Sequence, residues 1–331
     1  MTADSLPYRA PWWLPGAHLQ TIYPFLFRRG ALPPLVRERW DTPDGDFIDV
    51  DWLAGDQGKP LVVLFHGLEG CSRSHYARTL LQALRSRGWR CAVPHFRGCS
   101  GVPNRLPRAY HSGDHAEIDW ILRRMAERFP QAQRFAVGVS LGGNALLKWL
   151  ARAGVQGQSI VSRAAVVSAP MDLNTAGHRL GRGFNRIYTW HFLRSLKRKS
   201  LDKLRRFPGL YDARTVARAR DLYEFDNVVT APLHGFRDAD DYWTRASSIA
   251  DLRDIRVPTL IVHARNDPFL PGAHLPGPQQ LSPAIELDFP GHGGHAGFVS
   301  GAFPGTLRWL PARLLAFFDA RSIAPASTNR D

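Results

Sequence analysis

Cysteine is scarce. The 331 residues hold three, Cys71, Cys91 and Cys99, an odd number with no metal-ligand spacing. They are read as reduced thiols in core or near-surface positions, which points to the cytoplasm. No window approaches 18 uninterrupted apolar residues, so no membrane span is expected. The opening MTADSLPYRAPWW has no basic stretch followed by an apolar run, so it does not read as a secretory signal. There is no internal repeat, no zinc-finger spacing and no RNA-module pattern, and nucleic acid is disfavoured as a partner. Acidic residues are outnumbered, 29 against 43 Lys and Arg, for a net charge of +14. The excess is local. Residues 179–220 carry 13 basic side chains and only Asp202 and Asp212 as acids. That stretch suits acidic or phosphate-bearing ligands, or peripheral contact with an anionic membrane.

What is present alternates between two patterns. Continuous apolar runs such as PLVVLF and AAVV read as strands buried on both faces. Between them, Ala77, Leu80, Leu81 and Leu84 fall at i, i+3, i+4 and i+7, and Ile118, Ile121, Leu122 and Met125 share one helical face. VRERWDT, FIDVDWLA, RCAVPHF, RFAVGVS, PTLIVHA and AIELDF add strands, GNALLKWLARAG a helix, and residues 306–318 a closing helix with Pro311 inside it or at a break. Strands alternating with helices predict an α/β domain with a mostly parallel central sheet covered on both faces. Residues 172–250 interrupt the alternation and are expected to form a mostly helical cap insertion within a single domain spanning 1–331. A flexible tail is expected from about residue 321.

One motif carries chemistry. Gly138-Val139-Ser140-Leu141-Gly142 lies where a buried strand gives way to a helix. A sharp strand-to-helix turn needs small neighbours and presents its serine oxygen at a helix N-terminus, where a developing anion is favoured. The plain alternative is a helix-capping serine. A nucleophilic serine needs a base, and the base an orienting acid. In chain order Ser, acid, His, the strand ends offer Asp267 after PTLIVHA and His295 in PGHGGHAGF. Asp172 competes as the acid and His292 as the base, while His263 and Asp288 are read as structural. Backbone N–H groups of Leu68, in the loop HGLEG, and Leu141 are the expected oxyanion donors. His66 is read as a loop brace. Neither a metal nor a cofactor is required by this set.

In combination these segments make the chain resemble the α/β-hydrolase superfamily, specifically the YheT-like hydrolases and their eukaryotic abhydrolase-domain relatives. The resemblance runs through His18-Leu19-Gln20-Thr21, HGLEG at 66–70, FRGCSG at 96–101 and PNRLPRAYHSGD at 103–114. It continues with SLGGNALLKWL at 140–150, APLHGFRDADDYW at 231–243, VPTLIVHARNDPF at 257–269 and GGHAGF at 293–298. Many relatives have cysteine where this chain has Val139. The resemblance implies the α/β-hydrolase fold, an esterase or lipase-like activity on a small-molecule or lipid ester, and Ser140, Asp267 and His295 as nucleophile, acid and base. An acyltransferase using the same serine is the alternative, and a non-catalytic binding protein with a basic cap the distant one.

Overall fold

A computed structural model describes residues 7–27 and 30–320; the tail expected from about residue 321 lies outside them. The chain opens with α1 (Ala17–Phe27), then β1 (Val36–Asp41), β2 (Phe47–Leu53), β3 (Leu61–Phe65), α2 (His75–Arg85), β4 (Arg90–Pro94) and α3 (His115–Arg128). It continues with β5 (Arg134–Val139), α4 (Leu141–Ala153), the single turn α5 (Gly157–Ile160) and β6 (Arg163–Val167). A run of helices follows: α6 (Leu173–Leu180), α7 (Arg186–Arg206), α8 (Ala213–Arg218), α9 (Leu222–Phe225), α10 (Ala231–Leu233) and α11 (Ala239–Ala246). β7 (Thr259–Val262), β8 (Ile285–Asp288) and α12 (Trp309–Asp319) close the chain.

The eight strands form one sheet in the order β1-β2-β4-β3-β5-β6-β7-β8. β1 and β2 are antiparallel to their neighbours, and β4 through β8 run parallel. The two-residue strand period divides the apolar runs between two cores. Val62, Leu64, Val137 and Val167 meet Leu80, Leu84 and Leu314 from α2 and α12. Val63, Phe65, Ala136 and Val166 meet Ile118, Leu122 and Leu146 from α3 and α4 on the opposite face. Both faces being covered is why these strands read as unbroken apolar runs rather than alternating ones.

Register sets the site. Phe65 pairs with Gly138, Val139 with Val167, and Val262 with both Val167 and Asp288. The carboxyl ends of five parallel strands therefore finish level, and the loops leaving them share one edge. Pro311 sits at the third position of α12, in the first turn, where its missing N–H costs no helical hydrogen bond. The three thiols are free. Among the described residues no helix is long and apolar enough to cross a membrane.

Candidate active site

β5 ends at Val139, one residue earlier than the run RFAVGVS suggests, and Ser140 begins the turn into α4 with φ +54° and ψ −122°. That backbone region is strained for a residue with a Cβ. The strain is held by the Ser140 N–H bond to Val167 O (2.8 Å) and by the Ser140 carbonyl, which accepts from the N–H groups of Gly143 and Asn144. The Ser140 side chain does not cap the helix. A Cβ at Gly142 would run into the His66 carbonyl, so the approach of α4 to the β3 loop requires glycine there.

Ser140 Oγ lies 2.9 Å from His295 Nε2, and His295 Nδ1 lies 2.9 Å from Asp267 Oδ2. The other carboxylate oxygen of Asp267 accepts the Phe269 N–H at 2.8 Å. Asp267 is fully buried. Its oxygens are thus spoken for by one imidazole N–H and one amide. A hydroxyl, an imidazole and a carboxylate so aligned can pass the hydroxyl proton to the imidazole and stabilise the cation that forms.

The competing residues fall elsewhere. Asp172 caps α6, accepting from the Thr175 N–H and hydroxyl. His292 is met by the Asn266 side chain, and Asp288 pairs with Arg313. His263 stays at the site: it donates from Nε2 to the Leu270 carbonyl and lies 3.5 Å from Asp267 Oδ2, packed behind the carboxylate. His66 braces two loops. Its Nδ1–H donates to Gly67 O at 2.8 Å and its Nε2 accepts the Phe96 N–H at 3.1 Å, which requires the neutral ring.

Around the Leu68 amide, the neighbouring N–H groups are taken. Gly67 N–H donates to the Tyr76 hydroxyl and Glu69 N–H to the Tyr110 hydroxyl, each at 2.9 Å. Leu68 and Leu141 N–H have no acceptor among the described residues. Two free amide donors beside a serine at a helix N-terminus form a site suited to an oxyanion. The Glu69 carboxylate accepts from the Tyr110 hydroxyl and pairs with Lys199 of α7, both at 2.8 Å, tying the helical run to this loop.

Three contributors had no assigned role in the sequence. Helix α1 carries Gln20 and Thr21, which anchor the His295 loop. Gln20 Oε1 accepts the Gly293 N–H (2.8 Å) and an Asn266 amide N–H (3.0 Å), and Thr21 Oγ1 accepts the His295 N–H (2.9 Å). A Cβ at Gly297 would collide with the Gln20 carbonyl, so the glycines around His295 make room for α1. His75 donates from Nε2 to the Ala296 carbonyl at 3.0 Å. The Phe269 ring stacks on the His295 ring at 4.0 Å. The motif HLQT was a signal for α1, but it named no partner.

A cavity of about 410 Å³ opens over Ser140. Its lining is mixed: Leu180, Phe192, Leu196, Val229 and Trp243 are apolar, and Lys199, Lys203 and Arg206 of α7 are basic. Trp190, Phe192, Leu193 and Leu196 are neighbours along α7, and the structure divides them. Phe192 and Leu196 line the cavity, Leu193 packs under Val216 and Phe225, and Trp190 points outward.

Burial pulls His66 down to about 3, His75 and His111 to about 4, and His234 to about 3. Unfolded, these rings take a proton near pH 6.5. The folded state therefore binds fewer protons below that value. The stability held at pH 7 is lost as pH falls through 6.5 towards 4. Urea unfolding at stepped pH should show this, with the fully enclosed His66 alone contributing on the order of 1.4 kcal/mol per pH unit. A flat profile between pH 7 and 5 would contradict it.

Fold and site together define an α/β enzyme architecture whose reactive side chains meet at the carboxyl edge of a parallel sheet. A family model described as alpha/beta hydrolase fold matches residues 60–302. The chain is 40% identical to "Putative esterase YheT" of Escherichia coli, with 97% of this chain and 96% of that one covered. It is 27% identical to human "Phospholipase ABHD3", over 90% of this chain and 74% of that one. Among solved structures, the esterase Pf2001 of Pyrococcus furiosus superposes with a TM-score of 0.52 at 15% identity, over 86% of this chain and 90% of that one, a likeness of fold. The chain belongs to the α/β-hydrolase fold family and is a hydrolase of that class.

Proposed function

We propose that this protein cleaves carboxylic esters through an acyl-enzyme formed on Ser140, and that the helical run between β6 and β7 is a cap that shapes the substrate pocket. The observation that carries the reading is the unbroken line from Ser140 Oγ through the His295 ring to Asp267, with 2.9 Å at each step. His295 takes the proton as Ser140 Oγ attacks the ester carbonyl. Asp267 keeps Nδ1 protonated so that Nε2 is free to accept. Leu68 and Leu141 N–H bind the carbonyl oxygen as it becomes an anion. The alcohol leaves with the proton from His295, and a water deprotonated by the same ring releases the acid. The apolar side chains lining the cavity suit an acyl chain, and the basic ones suit a substrate carrying negative charge.

A fluorophosphonate probe tests the reading. The intact protein should gain one adduct, on the peptide containing Ser140, and a panel of p-nitrophenyl esters should be hydrolysed with a chain-length optimum. Absence of both labelling and turnover would leave a non-catalytic binding protein as the better description.

A further inference from the structure

Large apolar side chains are exposed along one face made by two helices. On α1 these are Leu19, Leu26 and Phe27, and at the entry to α7 they are Phe184, Ile187 and Trp190. Phe27 and Trp190 expose 68% and 65% of their surface. Side chains of the two segments meet. His18 Nδ1 is 3.1 Å from the Tyr188 hydroxyl, the His18 and Phe184 rings are 4.3 Å apart, and Phe25 meets His191 edge-on at 5.4 Å. Clustered exposure of this kind is unusual on a protein that meets only water.

The charge on this face has one sign. No acidic residue occurs between Ser5 and Arg37 or between Leu173 and Leu201. Arg182, Arg186, Arg194 and Arg198 are exposed and have no ion-pair partner among the described residues. On α7, Ile187, Trp190, Arg194 and Lys197 follow helical spacing, and the Arg194 guanidinium stands over the Trp190 ring at 5.9 Å. Apolar side chains interleaved with unpaired arginines fit a surface that is apolar beneath and anionic at its rim.

The inner sides of the same helices reach the site. Gln20 and Thr21 hold the His295 loop, and Tyr188 packs on Phe269 at 4.9 Å, the ring that stacks on His295. We infer that the joint face of α1 and α7 docks the protein on anionic lipid bilayers, seating Trp190, Ile187 and Leu26 at the level of the headgroups and placing the mouth of the cavity near the lipid. The inference is independent of the ester reading, because docking requires no turnover.

Co-sedimentation with two vesicle preparations tests it, one of equimolar phosphatidylglycerol and phosphatidylcholine, the other of phosphatidylcholine alone. The protein should pellet with the anionic vesicles and lose binding as salt is raised. Ile187→Ala/Trp190→Ala should weaken binding about tenfold or more. Arg186→Gln/Arg194→Gln should weaken it by about fivefold per charge at low salt and flatten the salt dependence. None of these four side chains lines the cavity, so thermal stability and fluorophosphonate labelling should match the parent protein and exclude misfolding. No pelleting with anionic vesicles, or pelleting that both double variants leave unchanged, would overturn the inference. So would a dimer in sedimentation velocity that Ile187→Ala/Trp190→Ala dissociates in a protein that ignores vesicles, since a second copy would then cover the face.

Discussion

Ser140→Ala should lower kcat for ester hydrolysis by about four to six orders of magnitude and leave the melting temperature nearly unchanged. The side-chain oxygen is the only heavy atom removed, and among the described residues its hydrogen-bond partner is His295 Nε2. The turn keeps its shape, because the backbone bonds of residue 140 do not involve the hydroxyl and alanine at φ +54° carries the same strain as serine. His295→Ala should cost about as much, and the double variant little more than either alone, since the two act in one proton transfer. Initial rates on a short p-nitrophenyl ester, with circular dichroism as a fold control, would settle the matter. Additive losses, or a Ser140→Ala variant that still turns over at the parent rate, would remove serine from the mechanism.

The second large effect separates two carboxylates. Asp267→Asn should reduce kcat by about three to four orders of magnitude, and Asp172→Asn should leave it within about twofold. The difference follows from what each oxygen accepts. Asp267 takes the His295 Nδ1–H on one oxygen and the Phe269 N–H on the other. An asparagine can offer an acceptor to only one of them. If its oxygen faces Phe269, its amide N–H faces His295 Nδ1, drives the ring proton to Nε2, and leaves nothing to accept the serine proton. Asp172 holds the first turn of α6, a duty asparagine performs equally well. The comparison is made by kcat on one ester for both variants. A greater loss at Asp172 would transfer the role of the acid.

The three central residues were legible because their signals are local. The glycine spacing around Ser140 reports a tight turn, and Asp267 and His295 each follow a strand recognisable from its own apolar run. The mostly parallel sheet was legible for the same reason, though not its strand order. What supports the trio was not, because its contacts join distant parts of the chain. Gln20 and Gly293 are 273 positions apart, and His75 and Ala296 are 221. No periodicity in either stretch reports such a pairing. The stacking of Phe269 on His295 depends on how two loops fold back. The apolar set in α7 shows a further limit, since helical spacing tells which residues share a side, but Trp190 and Phe192 are sorted by what lies opposite them.

The anchoring of the His295 loop by α1 makes the site answerable to a helix that lies outside the sheet. Gln20 and Thr21 hold Gly293 and His295 from 273 and 274 positions away, while the eight paired strands include no part of α1. Loosening α1 should therefore unseat the His295 loop and leave the strand pairing intact, so the position of one side chain and the integrity of the fold can fail separately.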